Sequence, residues 1–565
     1  MHHPCNIAAM LPRTAAAAPE RIALRCPGSR GRDGLARYDV ALSYRDLDAR
    51  SDALAAGLAR HGIVRGMRTV VMVRPGPEFF VLMFALFKTG AVPVLVDPGI
   101  DRRALRQCLA EAQPQAFIGI PLAQLARLVL GWARGSVRRV VTVGRRWGWG
   151  GATLAALEAT GAGAGAQLAD TAPDETAAIL FTSGSTGVPK GVVYRHRHFL
   201  AQVEMLREAF GVQPGGVDLP TFPPFALFDP ALGLTSVLPD MDPTRPARAD
   251  PRRLLDAIAR FGVTQLFGSP ALVDVLGRHG EATGARMQGV RRVLSAGAPV
   301  APATVERMRA MLPADAQIWT PYGATECLPV AVIEGRELLL TRAATEAGAG
   351  TCVGRPVPPN RVRIVRIVDA PIAHWIDACE LPAGSIGEIT VAGPSATDSY
   401  FNRPRATALA KIREGDGDHG SAWDSGVGTV HRMGDTGYFD AEGRLWFCGR
   451  LTQRVEASDG VLFTEQVEPV FNTHAQVRRS ALVGIGARGS QRPVLCVELH
   501  AGVPRSAHAR IAAELLALGQ RHATTRAVRS VLFHPHFPVD IRHNAKIGRE
   551  RLATWAARRL ERNAR

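Results

Sequence analysis

Apolar positions along the chain alternate between blocks with helical spacing and short continuous runs. In residues 42–63 (LSYRDLDARSDALAAGLARHGI), Leu47, Leu54 and Leu58 recur on one helical face and Gly62 supplies a stop. Residues 70–73 are a short apolar run. Residues 77–88 are a longer apolar stretch opened by Pro77 and followed by Gly90, and residues 91–96 are a second short run ended by Asp97-Pro98. The spacing predicts helix, strand, helix and strand in that order, then a helix over 102–111 and a strand over 116–120. Strands that alternate with helices imply a parallel sheet covered on both faces. The alternation returns later, with a helix over 199–210 and a strand over 265–267. Gly268-Ser269-Pro270 opens the next helix, and further strands end at Leu294 and at Thr320.

Some segments interrupt this pattern. Residues 161–166 (GAGAGA) superficially offer a dinucleotide fingerprint, but they follow a helical stretch instead of a strand and read as a linker. Residues 413–428, rich in Ser, Gly and Asp, read as a mobile surface excursion. Residues 440–443 are the turn of a hairpin. After Arg450 comes a polar stretch, then a new apolar pattern at 482–485 and 494–499. A chain of 565 residues is too long for one core. The expected class is α/β: a large N-terminal domain (1–450) of layered, mostly parallel sheets with helices, and a small mobile α+β C-terminal domain (451–565).

Composition narrows the function classes. The net charge is +17, and only four of the basic residues are lysines: Lys88, Lys190, Lys411 and Lys546. Arginine does not replace a compact ammonium, so Lys190 and Lys546 either mark sites that need one or survive by chance. The basic balance permits nucleic acid or an anionic membrane surface as partner. Against that, the arginines are scattered, aromatic residues make up 6% of the chain, and no Cys/His finger spacing occurs. Anionic substrates fit the charge equally well, and no nucleic-acid partner is expected. The eight cysteines are far apart without a CxxC, which argues against zinc and disulfides and for a reducing compartment. The N-terminus has no signal-type apolar core, and the most apolar stretch, 79–87, is about half the ~20 residues a membrane span needs. A cytoplasmic protein without a membrane span is expected.

The candidate chemistry centres on residues 179–191, ILFTSGSTGVPKG. Ile179, Leu180 and Phe181 form a buried strand. Thr182, Ser183, Gly184, Ser185, Thr186 and Gly187 are small residues that bring backbone N–H groups close to a ligand, and four of them add hydroxyls. Lys190 adds a point charge, so the combination suits an oligophosphate. It is not a Walker A loop, since Pro189 and Gly191 stand where Gly and Ser or Thr would be required. A second tight turn, Ser295 to Pro299, follows a strand end, where open α/β sheets place ligands. Residues 322–326 (YGATE) offer Tyr322 to stack on a base, Thr325 to reach a phosphate and Glu326 to hold Mg²⁺; each also suits an ordinary structural role. Asp435 can accept from both ribose hydroxyls, beside the always-charged Arg450; ordinary surface charges on a hairpin are the alternative. Residues 195–198 (RHRH) look like a metal cluster but more often form a solvated helix start. Residues 222–228 (FPPFALF) suit either a rigid apolar wall or core packing.

Taken in order, these segments resemble the adenylate-forming superfamily of acyl-CoA synthetases, nonribosomal-peptide adenylation domains and firefly luciferase. The similarity runs from about residue 42 to residue 549 and rests on TSGSTGVPKG, YGATE, MGD, GYFDAEGRLWFCGR and NAKIGR. It implies ATP and Mg²⁺ as cofactors. Residues 182–190 would wrap the β- and γ-phosphates, Gly297, Ala298, Pro299 and Tyr322 would hold adenine, and Gly323 would belong to the same cofactor-binding set. Thr325 would contact the α-phosphate and Glu326 the Mg²⁺. Asp435 and Arg450 would bind ribose, and Lys546 would reach the substrate carboxylate and the α-phosphate. Two departures bear on activity. Ala226 stands where many relatives have histidine, and Thr452 stands where an acidic or lysine hinge admits coenzyme A. VVYRHRHF, DLPTFPPFALFDPALGLTS, TPYGATECLPV and FPVDIRHNAKIGRE further resemble the β-lactone synthetases of bacterial olefin biosynthesis. That resemblance implies a 2-alkyl-3-hydroxy fatty acid as substrate, closed to a β-lactone after adenylation, with a thiolase, a reductase and a decarboxylase as possible associates. A fatty-acyl-CoA or acyl-AMP ligase is the alternative activity, and a basic scaffold for nucleic acid or membrane is the non-enzymatic one.

Overall fold

Ser43 opens the first long helix, Tyr44–Arg60, with a reciprocal cap: its hydroxyl accepts the Asp46 N–H at 3.1 Å and the Asp46 carboxylate accepts the Ser43 N–H at 2.9 Å. Helix Pro77–Thr89 ends on Gly90, whose φ of 69° lets the chain turn back into a strand. This second helix is buried on every side from Phe79 to Lys88, which explains why its apolar residues show no single stripe. The computed structural model describes residues 5–97, 99–182, 189–414, 428–539 and 547–564.

Two large sheets sandwich these helices. The first has seven strands in the order Ala152–Thr153, Arg139–Thr142, Ala116–Gly119, Arg68–Met72, Val92–Val96, Thr176–Thr182 and Lys190–Arg195. All neighbours are parallel except the last pair. The second sheet has fourteen strands. Its first half runs parallel through Ile22–Cys26, Thr235–Val237, Val217–Pro220, Gln265–Gly268, Arg292–Ser295 and Gln317–Ala324. A tight reversal at Thr325-Glu326 then turns it antiparallel, through Cys327–Glu334, Thr351–Pro356, Leu445–Arg450, Thr429–Phe439, Gly387–Ala392 and Arg361–Val365. The α/β class holds. The antiparallel half is an addition that alternating strand and helix blocks do not announce.

Between the sheets, Leu47, Leu54, Phe80 and Leu86 share a core with Val71 and Ile118 of the first sheet and Leu24 of the second. Lys88 closes this layer. Its ammonium lies 2.7 Å from Asp48 and 2.6 Å from Asp52, with the side chain only 1% exposed, so this lysine is a structural clamp. Toward the C-terminus, Val477–Ile485, Arg492–Leu499 and Val531–Phe533 form a separate three-stranded sheet. It has its own core around Val467, Phe471, Leu482 and Leu495. Residues 415–427, most of the expected surface excursion, lie outside the described residues.

Candidate active site

Thr176–Thr182 is anchored by Ile179 and Phe181, both fully buried, and Lys190 returns as its antiparallel partner opposite Thr182. The glycine- and hydroxyl-rich motif is therefore flanked by two antiparallel strands. Ser183, Gly184, Ser185, Thr186 and Gly187 lie outside the described residues, as does Lys546. The return strand gives Gly191 its reason: a Cβ there would lie 2.7 Å from the Phe181 ring. Lys190 lines a cavity of about 2120 Å³. Its ammonium sits 4.8 Å from the centroid of the Tyr400 ring, within cation–π range.

Tyr400 ties that lysine to the reversal at the far side. Its hydroxyl donates to Glu326 Oε1 at 2.6 Å, and Thr325 and Glu326 line the same cavity. The Glu326 carbonyl accepts the Thr397 N–H at 2.8 Å and its hydroxyl at 3.0 Å. The Thr325 carbonyl accepts the Tyr194 hydroxyl, whose ring stacks on Phe199. Behind Thr397 stands the buried Lys411, donating to the Thr397 carbonyl and hydroxyl. Burial pulls its pKa down to about 8, against the opposing charges of Glu326 and Asp398. The strand predicted to end at Thr320 continues to Ala324, so Tyr322 and Gly323 are strand residues. Gly323 leaves no room for a side chain, since a Cβ would meet the Cys327 carbonyl at 2.9 Å.

A second polar cluster joins Tyr322, Asp435 and Arg450. The Tyr322 hydroxyl donates to Asp435 Oδ2 at 2.6 Å, and Arg450 Nη1 lies 2.8 Å from Oδ1. Burial raises the Asp435 pKa while the Arg450 charge and the Tyr322 hydrogen bond oppose the rise. Of the two oxygens expected to accept from ribose, Oδ2 takes the Tyr322 hydroxyl, while Oδ1 faces Arg450 as an ion pair and accepts no hydrogen bond among the described residues. In the turn after Arg292–Ser295, Gly297 adopts φ 101° and lines the cavity. Ala298 and Pro299 are not among the lining residues.

Away from these groups the cavity is apolar, walled by Phe84, Val203, Phe210, Phe228, Leu232 and Leu294. Phe222, Phe225 and Phe228 face it, which decides for the wall over core packing; Ala226 turns away and is fully buried. At its deep end lie two buried carboxyls. Asp229 accepts from the Ser236 hydroxyl, and Asp218 Oδ1 has no partner among the described residues. Burial pushes Asp218 up to about 7 and Asp229 well above the usual carboxylate range, the latter also through the nearby Asp218 charge. Asp218 is in register with Gln265 and Arg292, at the strand starts. It therefore sits three residues, about 10 Å, below the level of the Ser295 turn.

The RHRH segment is not a solvated helix start. His196, Arg197 and His198 are buried, and Arg195 and Arg197 both grip Asp398, at 2.6 and 2.7 Å. Burial drives the histidine pKa values down, to about 4 for His196 and about 3 for His198. Their Nδ1 atoms accept the backbone N–H groups of Ile7 and Arg195. Among the described residues, no group of three His, Cys, Asp or Glu is placed to hold a metal ion.

With this geometry in view, the comparisons with known proteins are decisive for the family. The family model "AMP-binding enzyme" matches residues 11–401. The chain belongs to the AMP-binding enzyme family. Within it, the chain is 68% identical to the olefin beta-lactone synthetase of Xanthomonas campestris over 98% of both chains. It is also 68% identical to the enzyme of that name from Stenotrophomonas maltophilia, over the full length of both. Solved structures agree on the fold. The amide bond synthetase McbA of Marinactinospora thermotolerans aligns with a TM-score of 0.75 at 23% identity, over 97% of this chain and 99% of that one. The anthranilate CoA ligase AuaEII aligns at 0.77 and 17% identity, over 99% of each.

Sequence reasoning missed Tyr400, Lys411 and the Asp218–Asp229 pair in this AMP-binding enzyme. For Lys411 a signal existed, since it is one of only four lysines in the chain. Tyr400 reaches Glu326 across 74 positions, a contact that no local pattern encodes.

Proposed function

We propose that this chain is an ATP-dependent, AMP-forming β-lactone synthetase acting on long-chain 2-alkyl-3-hydroxy fatty acids. The observation that carries the reading is one cavity that has Lys190, Thr325, Glu326 and Arg450 at one part of its wall and an apolar chamber elsewhere. The 68% identity to two olefin beta-lactone synthetases supports the same reaction. The substrate carboxylate attacks the α-phosphorus, forming the acyl-adenylate and releasing pyrophosphate. The substrate's own β-hydroxyl then attacks the acyl carbon, AMP leaves, and the hydroxyl proton is released. The second attack is intramolecular, and that proximity offsets part of the ring strain.

In this reading residues 182–190 hold the β- and γ-phosphates, Thr325 the α-phosphate, Asp435 and Arg450 the ribose, and Gly297, Ala298, Pro299 and Tyr322 the adenine, with Gly323 in the same cofactor-binding set. Asp435 must share its oxygens with Tyr322 and Arg450, so the ribose would join an existing cluster. Mg²⁺ prefers phosphate oxygens and water and takes few carboxylates, which suits the single carboxylate of Glu326. Bound there, it would offset repulsion between the phosphates and the incoming acid. Tyr400 orients that carboxylate and Lys190 brings positive charge to the same wall.

We place the boundary between a large domain (1–450) and a small lid (451–565) at the turn that follows Arg450. Lys546 belongs to the lid. Val539, the bridge partner of Ile547, lines the same cavity as Glu326, which supports an approach of this segment to the reacting groups. We assign the enzyme to the cytoplasm, acting beside the thiolase, reductase and decarboxylase of an olefin pathway.

The test is incubation with ATP and a long-chain β-hydroxy acid, with and without coenzyme A, followed by mass spectrometry of the acid-derived product. A lactone formed without coenzyme A is expected; a product that requires coenzyme A overturns the reading in favour of an acyl-CoA ligase. Lys546→Ala should lower pyrophosphate release by about 10²–10³-fold while ATP binding persists. Equal loss of both would remove Lys546 from the role given to it.

A further inference from the structure

Helix Pro121–Leu130 has an unusual surface. Its inner face is tied down by Gln124, which is buried and donates to the Val141 carbonyl at 2.9 Å, and by Ala123 and Ala126 against the core of Phe117 and Trp132. Its outer face carries Leu122, Leu125, Leu128, Val129 and Leu130, all exposed, with Val129 reaching 74%. Trp147, in the loop after Arg139–Thr142, is exposed as well. Other exposed large apolar side chains among the described residues are dispersed over distant segments. Single exposed apolar residues need no explanation, whereas a contiguous group on one short helix does.

The charge around this face is one-sided. Residues 112–157 contain six arginines (127, 134, 138, 139, 145 and 146) and no Asp, Glu, Lys or His. Arg134, Arg138, Arg139, Arg145 and Arg146 are exposed, and none of the six makes an ion pair among the described residues. Over the whole chain arginines are scattered; here they are set apart by the absence of any acid. A second copy of the same face would bring arginine against arginine. A surface of phosphate headgroups over acyl chains supplies both missing partners: anions for the guanidinium groups and hydrocarbon for the leucines, with a tryptophan at the boundary.

The location adds meaning. Leu122, 62% exposed, also lines the cavity, as do Ala123, Ala126 and Trp132, so the apolar face adjoins an entrance to the chamber. We propose that helix Pro121–Leu130, with the arginine-rich segment after it, is a peripheral docking surface for an anionic lipid bilayer beside the mouth of the cavity. A water-insoluble acid could then pass from the bilayer into the chamber with little exposed travel. Only this delivery step rests on the long-chain substrate proposed above; the docking stands without it.

The experiment is flotation of the full-length protein with vesicles of phosphatidylglycerol and phosphatidylcholine in equal parts, and with phosphatidylcholine alone. Two variants accompany it: Leu125→Ser/Leu128→Ser/Val129→Ser, and Arg134→Gln/Arg138→Gln/Arg145→Gln/Arg146→Gln. All seven positions lie outside the cavity wall, and thermal unfolding together with turnover of a short, soluble β-hydroxy acid checks that both variants remain folded. The wild type should float with the anionic vesicles and release in high salt. The serine variant should lose most binding, and each arginine removed should lower partition about fivefold. Wild-type protein that ignores anionic vesicles, or serine and glutamine variants that bind as the wild type does, overturns the proposal. A serine variant that changes only the protein's sedimentation overturns it too, in favour of a protein–protein interface. If vesicle binding holds but the long-chain acid yields no lactone, the docking surface survives and the substrate assignment falls.

Discussion

Asp435 and Asp218 are carboxyls on strands of the same sheet, 2% and 3% exposed, yet their surroundings compensate the buried charge differently. Asp435, in the antiparallel half, meets a guanidinium and a phenol hydroxyl. Asp218, in the parallel half, faces Gln265 across the ladder and a second carboxyl nearby. Burial penalises both; only Asp435 has a full positive charge within ion-pair distance to offset it. Arg292 exerts a weaker, more distant pull on Asp218. The consequence is a division of the cavity. Near Tyr322 the Arg450 charge offsets the burial of Asp435, while at the deep end burial shifts Asp218 and Asp229 toward the protonated form.

The contrast breaks most sharply at Arg450. Arg450→Met would leave Asp435 buried and unpaired, which commonly costs about 3–5 kcal/mol. Arg450 is itself 34% exposed, so the lower end is expected, read as a reduced unfolding midpoint in urea together with a large fall in pyrophosphate release. Tyr322→Phe should cost less, about 1.5–3 kcal/mol for a hydrogen bond to a charged group, and should raise KM for ATP if the cluster holds ribose. A KM unchanged in Tyr322→Phe would detach the cluster from the nucleotide. At acid pH the smallest effect should come from Asp218→Asn. Its folded pKa is raised to about 7, so between roughly pH 4 and 7 the native state keeps a proton that the unfolded chain has released. Stability therefore falls as pH rises through that window. Asn should flatten the slope at a cost of about 1 kcal/mol at acid pH. Thermal midpoints measured from pH 5 to 8 test this; parallel curves for wild type and variant would show that Asp218 does not carry the titration.

The parts of this design visible in the sequence are those encoded locally. The helical face of Leu47, Leu54 and Leu58, the helix start at Pro77, the stop at Gly90, and the strand ending at Phe181 follow from periodicity and breaker residues, and the nucleotide motifs mark strand ends. What stayed hidden depends on pairing between distant segments. Lys190–Arg195 reads as the close of a loop, because nothing in its own pattern says that it returns antiparallel to Thr176–Thr182. The buried state of RHRH is hidden for the same reason: the carboxylate that permits it, Asp398, lies about two hundred positions away. The tie between Tyr322 and Asp435 spans 113 positions and changes what both residues have free to offer.

The chain just after Arg450 is fastened. Leu451–Gln453 forms a single 3₁₀ turn, and the buried Arg454 behind it donates to the Leu451 carbonyl while gripping Asp369 and Glu456, each at 2.7 Å. Gln453 in turn accepts from Arg549 at 3.0 Å. Any swivel about Thr452 has to undo part of this latch first. An enzyme that hands its activated acid to an outside thiol needs such a swivel in every cycle. One whose nucleophile arrives on the same molecule as its electrophile does not, and its latch can stay shut from activation to ring closure.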